Sequence, residues 1–167
     1  MGEQRRIGLA AGLCLMLMAQ PSLADTDTDP AFGRWIVDSG KAVIELFSCG
    51  EEACGILVWL RNPLDEAGRI KRDIMNPDPE ARERPICGLR LVTGLTRDSV
   101  GDWKGGEIYS TRDGNVYGID LVAKSASELK VRGYLGISLL GQTQTWRRDT
   151  EERGYCVLIP SNDANDR

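Results

Sequence analysis

The chain has 167 residues, 41% hydrophobic and 28% charged, with a formal net charge of −4, a balance that excludes disordered, collagen-like and polytopic membrane classes. Histidine is absent, which removes Ser-His-Asp and Cys-His nucleophilic machinery, His-ligated metals and a histidine pH switch. The acidic balance also argues against a nucleic-acid partner, whose phosphates require a basic face.

Residues 1–24 read as a signal peptide. Arg5 and Arg6 precede the apolar run Ile7–Ala19, and Ser22-Leu23-Ala24 supplies the small residues of a cleavage site after Ala24. Gln20-Pro21 stops the apolar run short of the ~20 residues that a membrane anchor needs. Leu13 before Cys14 argues against a lipoprotein anchor. The expectation is an exported protein, periplasmic or secreted, with no stable membrane anchor. Losing Arg5, Arg6 and Glu3 with the leader moves the net charge from −4 to −5. Losing Cys14 leaves an even four cysteines, Cys49, Cys54, Cys87 and Cys156, which export allows to form bridges. Of the three possible connectivities, the two cysteines flanking Gly50-Glu51-Glu52-Ala53 are placed to face one another across a hairpin, leaving Cys87 for Cys156. A bridge closing so long a loop is worth on the order of 3–4 kcal/mol. Without two CxxC knuckles, the four thiols do not suggest structural zinc.

Eight short runs rich in β-branched and aromatic residues follow: Phe32–Asp38, Lys41–Ser48, Cys54–Arg61, Gly88–Leu95, Lys104–Thr111, Val116–Lys124, Glu128–Leu135 and Gln142–Arg148. Asp113-Gly114 supplies a hairpin turn that matches strand twist. In the sixth run Tyr117, Ile119, Leu121 and Ala123 alternate with Gly118, Asp120 and Lys124. In the seventh Leu129, Val131, Gly133 and Leu135 alternate with Glu128, Lys130 and Arg132, so each strand has one wet face. This pattern predicts an all-β fold over residues 25–150, an eight-stranded antiparallel up-and-down barrel, with a two-sheet sandwich as the alternative.

Two segments interrupt the meander. Asn62–Cys87, between the third and fourth strands, holds Pro63, Pro77, Pro79 and Pro85 and has the length of a functional lid or a mobile loop, with a short turn of helix over Asp78–Arg84. Residues 151–167 form an extension in which Tyr155–Ile159 is expected to add to a sheet edge or pack on the barrel, before a polar, disordered tail after Pro160.

Gly33-x-Trp35 opens the first strand and Trp146-Arg147-Arg148 closes the last. This resembles lipocalin-like barrels, in which the tryptophan lies across the closed end and an arginine of the last strand packs over its ring. The resemblance makes Gly33, Trp35, Trp146 and Arg148 the barrel closure. A wider resemblance spans Gly33 to Arg148. It rests on Cys54-Gly55-x-Leu57-Val58-Trp59-Leu60, Asp73-x-x-Asn76-Pro77, Arg84-Pro85-Ile86-Cys87-Gly88-Leu89, Trp103-x-Gly105-Gly106-x-Ile108-Tyr109, Gly114-x-x-Tyr117, and Val131-Arg132-Gly133-Tyr134-Leu135-Gly136 with the closing Thr143-Gln144-Thr145-Trp146-x-Arg148. On these motifs the chain resembles the family of small exported bacterial proteins catalogued as domain of unknown function 2147. The resemblance implies an envelope or secreted location and a lipocalin-like barrel, and brings no activity with it.

No catalytic residue, metal ligand or cofactor is expected. Glu45, Glu107 and Asp120 are read as solvated strand charges, with Glu107 the ambiguous one. Asp73, Asn76 and Asp78 lack the glycine and distal glutamate of a calcium loop and are read as Asx-turns before the prolines. Trp59, Arg84, Tyr109, Tyr117, Arg132 and Tyr134 are the candidate groups for orienting a ligand in an apolar cavity. Leu135–Leu140 is either a hydrophobic lip at the mouth or part of the core. The expected function is non-enzymatic binding of a small hydrophobic or amphipathic ligand inside the barrel. The alternative is an envelope protein-interaction module with a solid core, its protein partner unassigned.

Overall fold

The structure, a computed structural model, describes residues 29–151 and 153–156. The leader, Cys14 and the tail lie outside the described residues, as does most of the strand expected over Tyr155–Ile159. Eight strands run in chain order: β1 (Gly33–Ile36), β2 (Ala42–Cys49), β3 (Glu52–Leu60), β4 (Arg90–Arg97), β5 (Trp103–Tyr109), β6 (Val116–Ser125), β7 (Glu128–Tyr134) and β8 (Gln142–Arg148). Each is hydrogen-bonded to the next, and β1 pairs antiparallel with β8, so the sheet closes into an up-and-down barrel and the sandwich is excluded. Inward-facing residues of all eight strands meet in one core that includes Trp35, Leu46, Leu95, Trp103, Ile119, Leu121, Leu129 and Trp146. Burial of this apolar surface, worth about 25 cal/mol per Å², drives closure.

β1 is shorter than the Phe32–Asp38 run predicts, because the chain already turns at Val37. Val37 N donates to Ala42 O and Gly40 N to Val37 O. β1 therefore meets β8 only through Trp35↔Arg148 and Ile36↔Arg147. The half of β8 nearest Gln142 has no β1 partner among the described residues, and the barrel wall is incomplete there.

The end beside Gly33 is plugged. The Arg148 guanidinium lies 3.8 Å above the Trp35 ring centroid. It donates to three backbone carbonyls, Phe32 O at 2.5 Å, Pro30 O at 2.7 Å and Ala126 O at 2.8 Å. Trp35 is fully buried, and its indole N–H donates to Ala31 O at 2.8 Å. Gly33 has φ +106°, and a Cβ there would stand 2.6 Å from Arg148 Nη1. Trp146 lies deeper within the barrel than this stack and takes no part in the arginine contact.

The long β3–β4 connection is a hydrogen-bonded substructure rather than a free flap. It forms the bridges Leu64↔Ile70 and Arg72↔Pro85, and a 3-10 helix at Pro79–Glu83 whose first turn is capped by the Asp78 side chain accepting from Glu80 N. Asn76 Oδ1 accepts from Asp78 N, the Asx-turn expected before the prolines. Ile86 joins the barrel core.

After β8 the chain crosses the outer wall of β1–β3. Asp149, its side chain fully buried, is ion-paired with Arg34 at 3.2 Å and with Arg153. Arg34 and Arg153 stack on Tyr155 and Trp59, with guanidinium-to-ring distances of 5.0 and 5.1 Å. β3 carries a bulge at Val58, which the β2 register skips between Val43↔Trp59 and Ile44↔Leu57. Cys156 N donates at 2.8 Å to the Val58 carbonyl. Tyr155 and Cys156 thus pack on the wall without forming a strand. The bridges Cys49–Cys54 and Cys87–Cys156 are both present, each with Cα atoms 5.9 Å apart.

Candidate functional site

The end opposite the Arg148 plug opens into a cavity of about 660 Å³. That size lies within the roughly 300–1,000 Å³ typical of small-molecule sites. Period-two alternation puts Ile44 of β2, Leu57 of β3, Ile119 of β6, Val131 of β7 and Trp146 of β8 on its wall. The rim is polar, with Ser39, Ser110, Thr111, Arg112, Gln142 and Gln144. Gln142 and Gln144 belong to the unpaired half of β8, so the mouth continues down the incomplete side of the barrel.

Tyr109, at the end of β5, lines this cavity, and its hydroxyl donates at 2.8 Å to Asp73 Oδ1. Asp73 comes from the long connection and is fully buried. Its Oδ2 accepts from Asn76 Nδ2 at 2.7 Å and lies 3.8 Å from Arg84 Nη2. Donors therefore converge on both carboxylate oxygens. Burial, reinforced by the Asp73 carboxylate, pushes the Tyr109 phenol from its ordinary 10.0 up to about 12. A second contact fixes the same connection: a Cβ at Gly114, the tip of the β5–β6 hairpin, would collide with the Met75 carbonyl. The Asp73-x-x-Asn76-Pro77 and Gly114-x-x-Tyr117 motifs thus meet in space.

Of the six candidate ligand groups, Tyr109, Tyr117 and Tyr134 are among the lining residues; the register sets Tyr117 beside Ile108, whereas Tyr109 pairs with Val116 at the end of β5 and its hydroxyl reaches Asp73. The Tyr117 hydroxyl donates at 2.8 Å to Asp113 Oδ2 at the mouth. Tyr134 contributes to the lining, but its ring lies over Gly118, where a Cβ would overlap it, and its hydroxyl points to Asp120 on the outer face at 3.4 Å. Burial and the Asp120 charge raise the Tyr134 pKa.

The other three are elsewhere. Trp59 packs outside under Arg153, because the bulge at Val58 turns it away from the interior. Arg84 is tied to Asp73 and to Ala81 O within the long connection and does not cap the mouth. Arg132 stands on the outer face opposite Thr143. It holds the β7–β8 connection there by donating to Ser138 O at 2.6 Å and Leu139 O at 3.0 Å. Glu107 is likewise exposed outside the barrel, between Thr93 and Gly118.

Leu135–Leu140 forms a lip: Leu135 and Leu140 line the cavity, and Ile137 and Leu139 project into solvent, 59% and 82% exposed. The sequence reading missed Asp73 as the partner of a cavity tyrosine, and Arg112, Gln142 and Gln144 as rim groups. Asp73 and Tyr109 are 36 residues apart and no local pattern joins them. The rim glutamines did carry a signal, since period two puts Gln142 and Gln144 on the same face of β8 as Trp146. Among the described residues no group of three or more Cys, Asp and Glu side chains is placed to hold a metal ion, and no helix is long and apolar enough to cross a membrane.

Residues 33–148 match the family described as "Uncharacterized protein conserved in bacteria (DUF2147)", and the chain belongs to it. A solved structure, described as "Protein HP1028 from the human pathogen Helicobacter pylori belongs to the lipocalin family", is similar with a TM-score of 0.62 and 23% identity over 72% of this chain and 83% of that one. The likeness shows a lipocalin-like fold. No curated protein matches the chain.

Proposed function

We propose that this member of the DUF2147 family is an exported, non-enzymatic protein that holds a small hydrophobic or amphipathic molecule inside its barrel. The observation that carries this reading is the cavity of about 660 Å³, walled by aliphatic side chains and open at one end. Water in such a space finds few hydrogen-bond partners, whereas an apolar molecule gains about 25 cal/mol per Å² of surface removed from water. The lip sets four exposed apolar side chains, Leu135, Ile137, Leu139 and Leu140, beside the mouth. Two disulfides support residence in an oxidising compartment. Against catalysis, Glu107 stands outside the cavity, and Tyr109 holds its proton too tightly to serve as an acid near neutral pH.

Native mass spectrometry of protein purified from the export compartment, before and after solvent extraction, tests the reading. The expected result is a co-purifying apolar mass, or uptake of the neutral fluorescent probe phenylnaphthylamine once the protein is stripped. Neither a ligand nor probe uptake would overturn it.

The second reading, an interaction module, is favoured by the exposed lip, because clustered apolar side chains held in water commonly mark a contact surface. It calls for a solid core, which the cavity does not provide. A crosslinker placed at Leu139 is expected to trap one reproducible partner if this reading holds, and scattered products would remove it.

A further inference from the structure

We propose that the cavity prefers apolar molecules carrying a neutral hydrogen-bond donor, such as an alcohol or primary amide, over carboxylates of equal chain length. This rests on the ligand-binding reading above and deepens it. A phenol has one proton to give and lone pairs to accept with. In two of the tyrosines that line the cavity that proton is already committed, Tyr109 to Asp73 Oδ1 and Tyr117 to Asp113 Oδ2, each at 2.8 Å. What both phenols offer a ligand is therefore acceptance alone.

The commitment of Tyr109 is fixed by its surroundings. Asp73 is fully buried, with Oδ1 accepting from the phenol and Oδ2 accepting from Asn76 and facing Arg84, so both its oxygens are already engaged as acceptors. Burial keeps the phenol protonated well beyond neutral pH. A ligand O–H donating to Tyr109 would extend a chain, ligand to phenol to carboxylate, in which each bond polarises the next. A carboxylate placed there finds only lone pairs on the phenol and no proton to accept, whereas a neutral donor supplies one. Asp113 takes the Tyr117 proton in the same way at the rim, where the carboxylate is in reach of water.

The opposing arrangement is a carboxylate held at the mouth by Arg112. That guanidinium is exposed and adjacent to Asp113, so its attraction is the weak, solvent-screened one of a surface pair. The Gln144 amide leaves its N–H₂ as a further donor, because its Oε1 accepts from Trp146 Nε1 at 3.1 Å. An alcohol oxygen can accept from that amide while its proton goes to a phenol.

The test displaces phenylnaphthylamine from the stripped protein with decanol, methyl decyl ether and decanoate, which share a chain and differ in the donor and the charge. Decanol is expected to bind about fivefold or more tighter than either, the scale of one net hydrogen bond. The advantage over the ether should shrink in Tyr109→Phe or in Tyr117→Phe. Tyr117→Phe serves if Tyr109→Phe fails to fold, since Asp113 lies at the mouth and can turn to water. Decanoate binding as tightly as decanol, or decanoate binding that collapses in Arg112→Ala, would overturn the proposal while leaving the cavity a binding site. If neither probe nor any of the three compounds binds, the binding reading itself falls and this proposal with it.

Discussion

The Arg148 guanidinium does three things at once: it covers the Trp35 ring, satisfies three backbone carbonyls and fills the space that a side chain at residue 33 would need. Arg148→Ala is therefore expected to cost about 2–4 kcal/mol, since it removes a stack and leaves carbonyls without donors. Gly33→Ala should cost about 1–3 kcal/mol through its left-handed backbone and the collision with Nη1. Urea denaturation measures both, and a wild-type midpoint in either variant would refute the closure argument. Tyr109 gives a pH signature. Its folded pKa is raised from 10.0 to about 12, so folding favours the protonated form; its contribution is full below pH 10 and is lost as pH climbs through about 12. A tyrosinate absorbance titration should show a phase near pH 12 that Tyr109→Phe removes, while the raised Tyr134 phenol still titrates. At this scale the closing stack was legible, because Gly-x-Trp at the first strand and an arginine at the last sit at fixed ends of a meander. The Asp73–Tyr109 pair was not, because the long connection had to fold before the two could meet.

The segment after β8 and the connection between β3 and β4 each bury a charge against the barrel. Asp149 is enclosed by Arg34 and Arg153, and removing one member of such a group leaves uncompensated charge in a dry site. Asp149→Asn should cost about 3–5 kcal/mol in a denaturation curve, and no change would show that the segment is not held by this group. Reducing the Cys87–Cys156 bridge should cost on the order of 3–4 kcal/mol more. In the other segment, Gly114→Val is expected to push the hairpin tip off Met75 and speed hydrogen exchange over residues 70–78 before it affects the strands, because a side chain there meets backbone that has no room to yield. All eight strands could be read from residue types and turn signals. The side each residue faces could not always be read, because one extra residue at Val58 reverses the parity expected for Trp59. Arg132 shows the opposite case. Alternation between Val131 and Gly133 already set it on the wet face, and its charge alone suggested a ligand role that the strand register does not support.

For the whole molecule, the consequence is a cup with a plugged base, an open mouth and one incomplete side. If the cavity is the binding site, filling it should abolish uptake without unfolding the protein. Val131→Trp is expected to lower probe binding at least tenfold at a stability change of about 1–3 kcal/mol, the usual range for overpacking. Retained binding in a folded Val131→Trp variant would place the ligand elsewhere. The sequence by itself determined the fold class: period-two alternation over eight runs joined mostly by short turns leaves apolar faces that a closed sheet buries without exposed edges. It also allowed three connectivities for four cysteines, among which the structure holds Cys49–Cys54 and Cys87–Cys156. Only the tertiary structure decided that the barrel is hollow at one end, that three tyrosines rather than all six candidate groups line the hollow, and that a buried carboxylate holds the hydroxyl of one of them. The physical reason is that interior volume and side-chain direction depend on where β1 stops, on a bulge in β3 and on contacts between residues far apart in the chain, none of which hydrophobic periodicity encodes.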